Sequence, residues 1–228
     1  MESFFELLAS FLAVIVVVCL HEFAHAYVAN KCGDPTPRLN GRLTLNPSAH
    51  FDPVGILAFA LVGFGWAKPV PINPYNFKNY KRGCLLTSSA GIIVNYISAF
   101  LFFPLVMAVS LYVYPIFSGK NVGPFLLNLS SYLYTYSLCF CVFNLLPLYP
   151  LDGFRILDAL NKKRGKVFRF LRDYGNRVLL VLIIISALAD RIAIFAYIDV
   201  LGFLLSFANT ILGYPITQFW FWILSLIV

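Results

Sequence analysis

His21 and His25 stand four residues apart, with Glu22 beside the first of them. On a helix, positions i and i+4 share a face, so both imidazoles can bind one metal ion. Glu22 lies one step round, close enough to reach a water on that ion without being a ligand. Two ligands and a base at this spacing are the pattern of zinc-dependent hydrolysis. The surrounding stretch is almost wholly apolar: Phe4 to Leu20 carries one charge, Glu6, and apolar character resumes from Phe23 to Ala29. One helix over residues 4–30 is predicted, long enough for a bilayer, which needs about 20 apolar residues. Ionisable groups near the bilayer centre cost on the order of 2.5–3.5 kcal/mol each on insertion scales, so groups kept there point to a function.

The rest of the chain must hold this helix in a membrane. Of 228 residues 60% are hydrophobic and 12% charged, against about 25% charged in a soluble domain. An all-α polytopic membrane protein is expected. The net charge of +7 sits in short loops between apolar runs, as cytosolic loops require, so no nucleic-acid partner is expected. The N-terminus carries Glu2 and Glu6 in place of the basic region of a cleavable signal peptide. The five cysteines are odd in number and show no disulfide framework. Cys139 and Cys141 read as small buried hydrophobes.

Residues 31–53 form a basic, cytosolic loop, which puts His21 and His25 roughly 8–14 Å from that face. Asn40-Gly41 between Pro37-Arg38-Leu39 and Arg42-Leu43-Thr44-Leu45 predicts a small β-hairpin at the cytosolic face. Asp52-Pro53 can start a helix, and the run 54–67, short and flanked by bases on both sides, suits a re-entrant segment, with a short full span as the alternative. Prolines 69, 71 and 74 force residues 65–76 out of helix. A span over 85–113 leads outside, 114–124 form an external loop, and 125–146 return. That helix breaks at Pro147 and Pro150, leaving Asp152-Gly153 at the depth of His21 and His25. Topology thus supplies Asp152 as the third ligand. Residues 154–177 carry Arg155, Lys162, Lys163, Arg164, Lys166, Arg169, Arg172 and Arg177 and should lie on anionic lipid headgroups. Residues 178–228, interrupted at Asp190-Arg191, Asp199 and Gly213-Tyr214-Pro215, hold one span and an interfacial tail, or two spans. The expectation is five to six membrane segments, one re-entrant, with a core over 1–160 and a basic cytosolic segment plus C-terminal membrane segments over 161–228.

His21-Glu-Phe-Ala-His25, Leu45-Asn-Pro-Ser-Ala-His-Phe-Asp-Pro-Val-Gly55, Gly65-Trp-Ala-Lys-Pro-Val-Pro71, Gly91-Ile-Ile-Val-Asn95 and Asn144-Leu-Leu-Pro-Leu-Tyr-Pro-Leu-Asp-Gly153 come in the order and spacing of the site-2 protease family of intramembrane zinc metalloproteases. The chain resembles its minimal prokaryotic members over residues 4 to about 160, departing at Ile92, where a proline is common. No PDZ or CBS domain is recognisable. The resemblance implies one Zn²⁺ per chain on His21, His25 and Asp152, Glu22 as general base, and Asn144 holding the substrate or the oxyanion. It also implies a transmembrane protein as substrate, cut near its cytosolic end, within the plasma or inner membrane. The residues alone leave two further readings open, a metal or proton transporter and an inactive scaffold. A conduction path has no need of a base beside the metal, which weighs against the first. His50 is either a metal ligand, the next candidate should Asp152 not serve, or an organiser of the loop before the Asp52-Pro53 helix start.

Overall fold

A computed structural model describes residues 2–62, 65–161, 163–189 and 192–226. Lys162 and Asp190-Arg191 lie outside these, as do positions 63–64 of the run expected to re-enter. Twelve helices follow in order: α1 Glu2–Cys32, α2 Thr36–Leu39, α3 Pro47–His50, α4 Pro53–Val62, α5 Tyr80–Ala108, α6 Tyr114–Phe117, α7 Val122–Leu145, α8 Asp152–Leu160, α9 Lys166–Asp173, α10 Gly175–Ala189, α11 Ala193–Ala196 and α12 Val200–Ser225. Among the described residues four stretches are long and apolar enough to cross a membrane: Phe4–Cys32, Tyr80–Phe117, Val122–Leu145 and Val200–Ser225. The chain is an integral membrane protein. The three spans predicted before residue 150 reappear with shifted ends, but four candidates stand where five to six membrane segments were expected, because Gly175–Ala189 is too short to count as a fifth. Asn79 caps α5, its side chain accepting from the Arg82 amide at 2.9 Å, so the second span starts five residues early. Helix also continues through a wider turn at 109–113 into α6. Gly213-Tyr214-Pro215 does not interrupt α12.

Stripes of small residues bring α1, α5 and α7 together. On α1 the buried positions Ala9, Ala13, Val17, His21, His25 and Ala29 recur every fourth residue. On α5, Gly83, Thr87, Gly91, Asn95 and Ala99 do the same. Apolar side chains gain little by leaving lipid for protein, so close approach of small residues and interhelical hydrogen bonds hold such bundles. Tyr132 donates to Glu6 at 2.9 Å and Ser10 bonds Tyr136 at 2.8 Å, tying α1 to α7. Against this trio α12 packs through Ile216 onto Ala99 and Leu138, and Trp220 donates to the Phe100 carbonyl at 2.9 Å.

No strand forms among the described residues, so the expected β-hairpin is replaced. The prolines at 35 and 37 start the helical turn α2, and Asn40-Gly41 ends it: the Gly41 amide bonds Arg38 O at 3.1 Å and the Arg42 amide bonds Pro37 O at 2.8 Å. Gly41 has φ +66°, and left-handed glycine suits a helix end as well as a hairpin. Pro37 lacks the amide a ladder would use. The pairing that does occur is one antiparallel bridge, Phe51 with Ala67, joined by Lys68 N to His50 O at 2.8 Å. The segment holding α4 thus returns to where it left. Asp52 caps α4 as expected, accepting from Val54 and Gly55 amides at 2.9 and 3.0 Å.

Residues 65–73 form an extended strap, followed by one tight helical turn at Pro74–Asn76 that the three prolines did not suggest. Two buried groups fix it. Arg42 donates to Lys68 O and, at 2.6 Å, to Pro69 O. Asp34, fully buried, accepts from the Thr36 amide and hydroxyl and from Asn76 Nδ2 on one oxygen, and from the Asn73 amide at 2.7 Å on the other. Burial alone would raise the Asp34 carboxyl, but the bonds from Thr36, Asn76 and Asn73 outweigh it and hold the carboxyl below its ordinary range. A depressed carboxyl stabilises the fold only above its unfolded value, about 3.9, and loses that contribution as pH falls through the folded value. Asp34→Ala should therefore destabilise the detergent-solubilised protein at neutral pH by about 1–3 kcal/mol. In thermal unfolding across pH, the gap to wild type should close as pH drops below about 4. A gap independent of pH would show that Asp34 acts through packing alone.

Candidate functional site

The i, i+4 spacing on α1 turns His21 and His25 to one side, with ring centroids 4.6 Å apart. The break after α7 brings α8 in against α5 and α7, and Asp152, its first residue, points at the two rings. Asp152 Oδ2 lies 2.9 Å from His25 Nε2 and 3.3 Å from His21 Nε2, and the two Nε2 atoms are 3.0 Å apart. All three residues are buried. Two ligand atoms about 2.1 Å from a tetrahedral zinc stand about 3.4 Å from each other, so this triangle has the dimensions of one face of such a site.

Proton positions favour a cation there. His25 Nδ1 lies 2.7 Å from the Thr87 carbonyl. A carbonyl only accepts, so in the neutral ring the proton sits on Nδ1 and Nε2 presents a lone pair. That lone pair faces a carboxylate oxygen 2.9 Å away. Two acceptors at this distance repel unless a proton or a cation lies between them. The His-His-carboxylate donor set is one that zinc takes. Arg155, one turn along α8, reaches within 4.0 Å of the other Asp152 oxygen.

Glu22 lines the same cavity of about 140 Å³, with Pro69, Val70 and Ile72 of the strap, Asn144 and Pro150. Its Oε2 accepts from the Val70 amide at 3.1 Å, so the strap holds one carboxylate oxygen. Asn144 reaches the cavity from the last turn of α7, but its Nδ2 donates to Phe140 O at 3.1 Å within its own helix. His50 is elsewhere. It is fully buried, its Nε2 bonds the Thr44 carbonyl at 2.7 Å, and it is not among the clustered ligand atoms. The structure thus gathers His21, His25, Asp152, Glu22 and Asn144 and leaves His50 in its loop. Sequence reading missed the contacts of Arg42, Val70 and Thr87. The last two act through backbone atoms, which no residue type announces. Arg42 read as one more loop charge.

The model of Peptidase family M50 matches residues 109–186, which include Asp152 but not the two histidines. YwhC of Bacillus subtilis (strain 168), provisionally a zinc metalloprotease by name, is 41% identical over 175 residues, 76% of this chain and 78% of its own. Rip2 of Mycolicibacterium smegmatis, provisionally named in the same way, is 29% identical over 76% of this chain and 66% of its own. The zinc metalloprotease MJ0392 of Methanocaldococcus jannaschii is 28% identical over 80% of this chain but 44% of its own length. No solved structure matches. With an identity of 41% across three quarters of both chains, and a candidate metal-binding triangle beside a glutamate, this protein belongs to Peptidase family M50, the site-2 protease family of zinc metalloproteases.

Proposed function

We propose that this chain hydrolyses a peptide bond in or near the transmembrane segment of another membrane protein, on the cytosolic side of the cell membrane. The observation that carries the reading is the His21–His25–Asp152 triangle with Glu22 in the same cavity, the histidines and Glu22 standing on a helix long enough to cross a bilayer. His21 Nε2, His25 Nε2 and Asp152 Oδ2 would hold one Zn²⁺. Zinc bound there supplies Lewis acidity, polarising the scissile carbonyl and lowering the pKa of a water towards about 7. Glu22 takes a proton from the attacking water as its oxygen bonds the carbonyl carbon, and returns it to the amide nitrogen as the C–N bond breaks. Val70 N–H keeps one oxygen of Glu22 fixed, leaving the other for this transfer. Asn144 has a second N–H on the same nitrogen with which to hold the substrate carbonyl.

The cavity admits an extended peptide unit. It is too small for a helix, whose diameter with side chains is about 10–12 Å. A substrate helix must therefore unwind before it is cut. All five site residues fall within 1–160, which we take as the catalytic core. We take the α4 segment as re-entrant because its ends meet at Phe51 and Ala67. Lys163, Lys166, Arg169 and Arg177 are exposed on and beside α9, where they suit anionic lipid headgroups.

The metal is the first test. Purified protein should carry one zinc per chain by elemental analysis, and His21→Ala, His25→Ala and Asp152→Ala should each lose it. Full occupancy in Asp152→Ala would give the third position to another residue.

Glu22→Gln separates binding from chemistry. It keeps size and hydrogen bonding but cannot accept a proton at neutral pH. The variant should retain zinc and cleave a single-span model substrate at least about 10²-fold more slowly. Metal or proton flux in liposomes without cleavage by the wild type would favour a transporter, and no difference between the two proteins in any cleavage assay would favour a scaffold.

Cysteine labelling in intact cells tests orientation. Residues 31–50, 70–82 and 163–175 should react only from the cytosol and 118–121 only from outside. Labelling of 70–82 from outside would make the α4 segment a full span.

A further inference from the structure

Helix α5 lies against the two histidines through Thr87, Gly91 and Asn95, each four residues from the next. At Gly91 the backbone touches the rings: a Cβ there would stand 2.4 Å from His21 Cε1, 2.6 Å from His25 Nε2 and 2.7 Å from His21 Nδ1. The imidazoles thus have a wall behind them, and their outer nitrogens meet partners on either side of it. Thr87 O accepts from His25 Nδ1 and leaves Nε2 free to bind a metal. The matching partner for His21 is Asn95. Its side chain is fully buried, with Nδ2 3.0 Å from His21 Nδ1, while its Oδ1 is buried with no hydrogen-bond partner among the described residues.

The two ends of an amide are interchangeable by a half turn and are assigned from their partners. With Nδ2 towards the ring, Asn95 donates to Nδ1, which puts the proton of neutral His21 on Nε2, inside the ligand triangle. With Oδ1 towards the ring, Asn95 accepts from Nδ1–H, and Nε2 turns a lone pair to the same point as His25 Nε2 and Asp152 Oδ2. A ligating histidine needs the second arrangement, since its other ring nitrogen must find an acceptor.

We propose that Asn95 is a positioning residue for the metal: its Oδ1 accepts from His21 Nδ1–H and holds His21 in the tautomer that binds zinc, as the Thr87 carbonyl does for His25. The proposal rests on the reading of His21 and His25 as ligands. It separates Asn95 from an asparagine that only joins two helices, because what matters is the acceptor at Nδ1.

The test is zinc affinity, measured by competition with a chromophoric chelator on purified full-length protein in detergent. Asn95→Leu removes the acceptor while keeping the same number and branching of heavy atoms and should weaken zinc binding about 10–100-fold. Asn95→Asp keeps an acceptor and should bind zinc within a few-fold of wild type. A helix-joining role predicts the reverse order, since a buried carboxylate disturbs packing more than a leucine. Wild-type affinity in Asn95→Leu, or a tenfold or greater loss in Asn95→Asp, would overturn the proposal. The second criterion holds even where the leucine variant fails to fold. His21→Ala is measured alongside. Zinc lost there but kept in Asn95→Leu refutes the role of Asn95 alone, whereas wild-type affinity in His21→Ala refutes the ligand reading and the proposal together.

Discussion

The site depends on how closely α1 and α5 approach. Two imidazoles fill the space between them only because position 91 has no side chain, and the helix backbone forms the back wall of the rings. In a bilayer the unpaired alternative is expensive, since no water reaches the hydrocarbon core to satisfy a stray donor or acceptor. The same approach therefore has to supply partners as well as space. It does so with a carbonyl at Thr87 and an amide at Asn95, one turn to either side of the glycine. Small residues above and below, from Ala9 to Ala29 on α1 and from Gly83 to Ala99 on α5, let the helices keep that distance along their length.

The third side of the triangle comes from a broken helix. A carboxylate midway along a straight α7 would sit on a fixed helical face. Ending α7 at Leu145 and restarting at Asp152 allows the chain to swing in and present Asp152 from the first turn of α8. There the unpaired amides of the helix start also favour a negative charge. Leu148 and Leu151 pack with Leu179 of α10, so the break is anchored by the C-terminal part of the chain.

Much of this was legible in the sequence for specific reasons. The histidine pair follows from helical periodicity, which a long apolar run makes dependable. Asp152 follows from counting spans and bases, because topology fixes depth without any knowledge of contacts. The Asp52 cap is a local rule obeyed locally. The hairpin at 40–41 was misread because left-handed glycine serves two structures, and the choice between them rests on Pro37 and on where Arg42 turns. The latter is a tertiary contact, with carbonyls 26 and 27 residues away. Thr87 was invisible for a different reason: its part is played by a main-chain oxygen, and any residue but one with altered helix geometry would supply it. Only the four-residue recurrence of small and polar positions on α5 carried a hint.

The architecture divides the labour between rigid and tethered parts. The proposed ligands stand on α1 and α8, each braced by packed helices. Glu22 shares α1 with the histidines, but its carboxylate is aimed by the Val70 amide, which belongs to an extended strap. The strap holds its position through Arg42, Asp34 and the Phe51–Ala67 bridge rather than through a helix of its own. Moving the strap would therefore re-aim the proposed base while leaving the triangle of proposed ligands as it is.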